Sequence, residues 1–210
     1  MFETAIIAFT TFFATVGPLD VAAMFAVLTP NASVQARRSM ALRGVLISAG
    51  ILITFALIGD LILHNLGISL AALRVAGGIL LLLIGIDMVF ALNTGGTTTT
   101  EAETSEAAGK QDISVFPLAT PLIAGPGTMG ATILLMANSR DDMGAQVMVV
   151  AALLAVLLIT LLLLLLSTAV HRVLGVTALN VVSRVFGVLL SALAVQFMFD
   201  GLAASGLFPA

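Results

Sequence analysis

Apolar residues run along this chain in six long blocks, at about 4–29, 41–63, 69–92, 115–137, 146–169 and 177–202. Each block is near or above the roughly 20 residues that carry a helix across the hydrocarbon core of a bilayer. The blocks are continuous rather than alternating, which excludes a membrane β-barrel. One polar stretch interrupts the pattern, from Asn93 to Asp112. It holds a Gly pair, four consecutive Thr, and Glu101, Glu103 and Glu106 among small residues. With almost nothing to bury, it reads as a linker. It divides the chain into a first unit at 1–92, a loop at 93–112 and a second unit at 113–210, with three spans in each unit.

The two units echo one another. Gly17-Pro18 lies inside the first block, and 108 residues later Gly125-Pro126 lies inside the fourth. His64-Asn65-Leu66-Gly67-Ile68-Ser69 parallels His171-Arg172-Val173-Leu174-Gly175-Val176-Thr177, and Arg74-Val75-Ala76-Gly77 parallels Arg184-Val185-Phe186-Gly187. Three spans per unit is an odd number, so the second unit enters the membrane with the opposite orientation. The expected fold is an all-α membrane protein: six transmembrane helices in two inverted three-helix repeats, with broken first and fourth helices.

Proline lacks an N–H and clashes with the preceding turn, while glycine accepts the dihedrals a break requires. The first span should therefore divide between Thr15 and Pro18, and the fourth around Ala124 to Gly127. A break frees N–H groups at the start of the later half-helix and carbonyls at the end of the earlier one. The first end suits a carboxylate and the second an ammonium or metal cation. With inverted topology the two junctions would face one midplane site, suited to a zwitterion. The candidate substrate-binding residues are Thr15, Gly17, Pro18 and Asp20 at the first break, and Ala124, Gly125, Pro126, Gly127 and Thr128 at the second. The plainer alternative is that both prolines only kink ordinary helices.

Asp20 stands two residues after Pro18, at the expected depth of the midplane. An ionisable group there is costly and marks a functional candidate. It could carry a proton, pair with a substrate ammonium, or cap the second half-helix. Arg74 and Arg184 occupy equivalent repeat positions near the start of a span. They either snorkel to the interface or act as gating or structural braces. The fifth span, aliphatic through Leu161–Leu166, is expected to face lipid. The third, with Gly77, Gly78 and Gly85, is expected at the centre with the first and fourth.

Composition agrees with membrane integration: 60% of residues are hydrophobic and 9% charged, against about 25% charged in soluble domains. There is no cysteine, and so no disulfide, thiol relay or thiolate metal site. No Trp or Tyr is present to form an aromatic belt. Arg37, Arg38, Arg43, Lys110, Arg172 and Arg184 make six of the eight basic residues, all around the first, third and fifth connections. The positive-inside rule then places both termini outside the cytoplasm. Glu3, with no basic residue before the first span, is unlike a cleaved secretory signal. No zinc-protease, phosphate-loop or serine-hydrolase motif is found, and His64 and His171 are too isolated to suggest a metal site. The chain is thus not expected to be an enzyme, to carry a cofactor or metal, or to bind nucleic acid. Its expected partners are a small-molecule substrate and the lipid bilayer, with oligomeric state left open.

The segment Pro117-Leu118-Ala119-Thr120-Pro121-Leu122-Ile123-Ala124-Gly125-Pro126-Gly127-Thr128 resembles a signature of the MarC family of bacterial inner-membrane proteins. Gly17-Pro18-Leu19-Asp20-Val21-Ala22-Ala23-Met24-Phe25, continuing to Leu28-Thr29, is similar to that family's first-span element. Gly17 stands where the family commonly has Asn, Asp20 where it has Gly, and Ala23 where it has Pro. The resemblance covers essentially the whole chain. It implies a relative of LysE-type exporters in the bacterial inner membrane, transporting small neutral amino acids such as glycine and alanine with proton coupling. A carrier or channel for another small solute, or a membrane partner protein that transports nothing, are the alternatives.

Overall fold

A computed structural model describes residues 2–29, 32–90 and 112–206; for Asp60 and residues 168–180 it describes the backbone alone. The described residues form helices and short turns. α1 (Phe2–Val16) and α2 (Pro18–Leu28) together make the first span, broken at Gly17. α3 (Val34–Asn65) starts at Ser33, whose hydroxyl accepts the Ala36 N–H at 3.2 Å, and α4 (Leu70–Phe90) follows. The second unit opens with α5 (Ser114–Ile123) and α6 (Pro126–Asn138), which meet at a bend of 53°. α7 (Met143–Leu165) is capped by the Asp142 carboxylate on the Ala145 N–H, and α8 (Ser167–Ala204) completes the chain. Among the described residues, five spans, with α1 and α2 taken together as one, are long and apolar enough to cross a membrane, and six if the bent α5–α6 pair is also one span.

α5 is wound loosely because of its prolines. Phe116 and Thr120, each preceding a proline, take extended backbone angles, as the proline ring dictates for the residue before it. The helix is carried past them by wide bonds, Leu118 N–H to Ile113 and Ala124 N–H to Ala119.

Side-chain contacts fix which connections share a face. Arg37 at the start of α3 donates to the Ser167 hydroxyl at 2.7 Å, and Arg43 pairs with Asp112 at 3.4 Å. The first, third and fifth connections therefore gather at one end of the bundle. At the other end, Arg74 Nε of α4 donates to Asn138 Oδ1 of α6 at 2.6 Å, joining the second and fourth connections. The second unit thus runs opposite to the first, in the same element order of broken span, helix, helix.

Two expectations about packing are corrected. The fifth span does not simply face lipid: Ala145, Val149, Ala152, Leu153, Val156, Leu157, Thr160 and Leu164 form a buried stripe on α7 at helical spacing. An all-aliphatic helix packs well wherever its neighbours offer small residues, and α1 does so with the fully buried Ala8. Nor is α4 central. Its span is 28% buried, against 50% for the first span and 39% for the fifth. Gly77 faces Leu134 of α6, while Gly78 and Gly85 serve a peripheral pair, α4 against α8. A Cβ on Gly78 would lie 2.7 Å from the Ala194 carbonyl. One on Gly187 would lie 2.9 Å from the Gly85 carbonyl, and one on Gly201 2.8 Å from the Ala71 carbonyl. Four glycines, Gly78, Gly85, Gly187 and Gly201, let these backbones approach closely.

The last connection is also misplaced by sequence. A turn was expected near 170–176, but the chain turns at Leu166 and α8 runs unbroken for 38 residues. Nothing in 167–180 forbids helix, since a lone Gly175 costs only about 1 kcal/mol. At 1.5 Å per residue, α8 is far longer than the roughly 30 Å hydrocarbon core. Within it, Val181–Ala204 is long and apolar enough to cross a membrane.

Candidate functional site

The first break is built by two residues. Gly17 donates to the Phe13 carbonyl at 3.1 Å, closing α1, then turns the chain in the left-handed region (φ 58°, ψ 59°). Pro18 begins α2, its fixed φ suited to a first helical position. Its missing N–H leaves the Ala14 carbonyl without its helical donor. Leu19 and Asp20, next in the first turn of α2, bring N–H groups that no earlier helical carbonyl takes up.

Asp20 lies in this same first turn, where the partial positive charge of a helix start favours a carboxylate. No side-chain cap closes the start of α2, and the Asp20 carboxylate is engaged from outside the helix. The Ser183 hydroxyl of α8 lies 2.9 and 3.0 Å from its two oxygens and donates to them. The contact spans 163 residues of sequence and ties the broken span to the last helix.

Around this pair is a cleft of about 200 Å³, its mouth included. Its enclosed part has room for about one water molecule. Phe13, Gly17, Pro18, Leu19 and Asp20 supply one wall, Met88 of α4 a second, and Val182, Ser183 and Phe186 of α8 a third. The Phe13 and Phe186 rings meet with centroids 4.5 Å apart and narrow it. The arrangement is an acidic, hydroxyl-lined slot at a helix break, with free helix-end donors and acceptors beside it and aromatic rings across it.

Thr15 is buried, and its hydroxyl donates to the Thr11 carbonyl at 2.9 Å instead of lining the slot. At the second break, Ala124 ends α5 and Gly125 is extended (φ −81°, ψ 169°), a conformation open to any residue. Pro126 starts α6 and is exposed, while Gly127 packs under Ile84 of α4. Thr128 is buried, and its hydroxyl has no protein hydrogen-bond partner; the same holds for Thr11. The structure thus gathers Gly17, Pro18 and Asp20 into one cleft. Thr15, Ala124, Gly125, Pro126, Gly127 and Thr128 are not among its walls. Arg74 braces the end of the second broken span through Asn138, whereas Arg184 is exposed on α8.

Ser183, Phe13, Met88 and Phe186 escaped the sequence reading. The only signal for Ser183 was its place beside Arg184. The repeat puts an apolar residue, Leu73, at the matching position of the first unit, so symmetry could not find it. No group of three or more potential metal ligands occurs among the described residues.

These features define a polytopic helical membrane protein with two broken spans and an intramembrane acid at the first break. The chain belongs to the MarC family: the family model, described as MarC family integral membrane protein, matches residues 2–205. It is similar to UPF0056 membrane protein MJ1677 of Methanocaldococcus jannaschii, 37% identical over 197 residues, covering 94% of this chain and 95% of the relative. It is also similar to YvbG of Bacillus subtilis, at 33% over 100% of this chain and 98% of that one. YhcE of Escherichia coli is 35% identical over 94% of this chain and 90% of its own length. No solved structure matches.

Proposed function

We propose that this protein is a secondary transporter of small neutral amino acids of the glycine and alanine type, coupled to protons, and not an enzyme. The observation that carries the reading is the break at Gly17-Pro18 with Asp20 beside it, tied to Ser183 on a different helix. A substrate ammonium would replace the Ser183 hydroxyl on the carboxylate, and the freed N–H groups of α2 would receive the substrate carboxylate. Small substrates fit because the slot is narrow and walled by Phe13 and Phe186. With room for about one water, this is a closed form, and transport requires α2 and α8 to separate. Thr128 and the second break would serve the opposite gate, its unpartnered hydroxyl being available to substrate in another state.

The basic cluster of Arg37, Arg38 and Arg43 lies at the end shared by the first, third and fifth connections. That end is read as cytoplasmic, so both termini lie outside, in a plasma (bacterial inner) membrane. The test is reconstitution in liposomes with labelled glycine and alanine under an imposed pH gradient. Saturable uptake that rises with the gradient is expected. No saturable uptake across a panel of amino acids would remove this substrate class.

A further inference from the structure

A second polar cavity lies where the first span ends, beyond Phe25. It is about 370 Å³, mouth included, and is lined by Val34, Arg37 and Arg38 of α3 and by Leu164 and Leu165 of α7. Among the described residues, two arginines and no acid line it. Arg37 is fixed in place: it donates to the buried Ser167 hydroxyl at 2.7 Å, and its Cζ stands 5.6 Å from the Phe25 ring centroid. Arg38 beside it is exposed. The lower wall is apolar, with Val34 70% and Leu165 44% exposed. Val34 opens the span that begins α3, and Leu165 closes the span of α7, so the cavity sits where hydrocarbon gives way to headgroups.

We infer that this cavity is a binding site for an acidic phospholipid, its phosphate held by Arg38 over the fixed charge of Arg37 and its acyl chain laid along the exposed Val34 and Leu165. Guanidinium groups match phosphate oxygens, and basic pockets between spans on the cytoplasmic side receive anionic headgroups. The start of α3 adds partial positive charge on the same side. A soluble phosphate would use the arginines but not the apolar wall, whereas one lipid molecule would engage both, which is why the lipid is the assigned source. The lipid would bridge α3 and α7, which come from different units, and so would steady one unit against the other.

The full-length protein is placed in nanodiscs of phosphatidylcholine alone or mixed with phosphatidylglycerol. Thermal midpoint and lipid retention in native mass spectrometry are then measured. Phosphatidylglycerol should raise the midpoint and be retained in preference to phosphatidylcholine. Arg38→Gln should weaken that retention about fivefold, the effect of one basic residue at a membrane surface. Arg140→Gln, at the opposite end, should leave it unchanged. Equal midpoints in both lipids, or full retention by Arg38→Gln, would overturn the site. Inorganic phosphate added to phosphatidylcholine discs should give no shift; a shift as large as that from phosphatidylglycerol would assign the cavity to a soluble anion and remove the lipid.

Discussion

Asp20 is the residue on which the proposed mechanism turns, and its hydrogen bond to Ser183 separates its two roles. Asp20→Asn keeps the side-chain size and can still bond the serine hydroxyl, but it can neither carry a proton nor hold an ammonium by charge. It should abolish pH-gradient-driven accumulation in proteoliposomes while leaving the protein folded. Ser183→Ala should leave accumulation proton-dependent and change its KM, since it removes only the group the substrate would displace. Accumulation by Asp20→Asn equal to wild type would take the acid out of the mechanism. A second acid allows a pH prediction. Asp112 is held below its ordinary value of 3.8, first by hydrogen bonds from Ser114 and then by the charge of Arg43. A carboxylate with a depressed folded pKa stabilises above its unfolded value and loses that contribution as pH falls through the folded one. Asp112→Asn should therefore lower the thermal midpoint slightly at neutral pH, and the difference should shrink as pH falls below about 4 and vanish only below the depressed folded value. The effect stays well under about 1 kcal/mol because the pair is solvent-exposed. Asp20 was legible in sequence as a lone acid after a breaker. Ser183 was not, because one serine among the apolar residues of α8 carries no pattern until the fold sets it against Asp20.

The helix breaks show how two similar motifs can work differently. Gly17 is in the left-handed region, where a side chain is strained, whereas Gly125 is extended and its backbone makes no such demand. Gly17→Ala should cost about 1 kcal/mol or more, and Gly17→Asn less, since Asn tolerates this region best after glycine. Thermal unfolding in detergent would rank them; equal midpoints for Ala and Asn would mean the left-handed turn is not retained. This also accounts for the Asn that the family resemblance places at position 17, since Gly-Pro and Asn-Pro can build the same turn. Sequence located both breaks, because Gly-Pro inside an apolar run is a strong local signal. It misjudged α4 and α7 because amphipathicity is a poor guide where lipid is as apolar as the protein interior. Small residues marked α4 as a helix that packs closely, but not which helix it packs against. The partner proved to be α8, and Gly187→Leu tests that seam. Its Cβ alone would meet the Gly85 carbonyl at 2.9 Å. Overpacking of this kind costs about 1–3 kcal/mol. A midpoint unchanged from wild type would mean that α4 and α8 are not in close contact in the membrane.

At the scale of the whole molecule, the inverted arrangement links observations that are separately modest. Arg37 reaches Ser167 and Arg43 reaches Asp112 at one end, while Arg74 reaches Asn138 at the other. Successive spans alternate in direction, so these ends are opposite faces of the membrane, and under the orientation proposed above the basic end is the cytoplasmic one. The chain contains no cysteine, so single cysteines report location without a background. Gln35 is exposed at the start of α3, and Asp141 is exposed in the turn between α6 and α7. In intact cells a membrane-impermeant maleimide should label Asp141→Cys, and should label Gln35→Cys only after permeabilisation. The reverse pattern would keep the fold and invert the orientation, exchanging which gate the Asp20 cleft serves. Labelling of both from outside would place the two ends on one side of the membrane. That outcome would dismantle the inverted repeat itself, and with it the reason for treating the two Gly-Pro breaks as halves of one transport path.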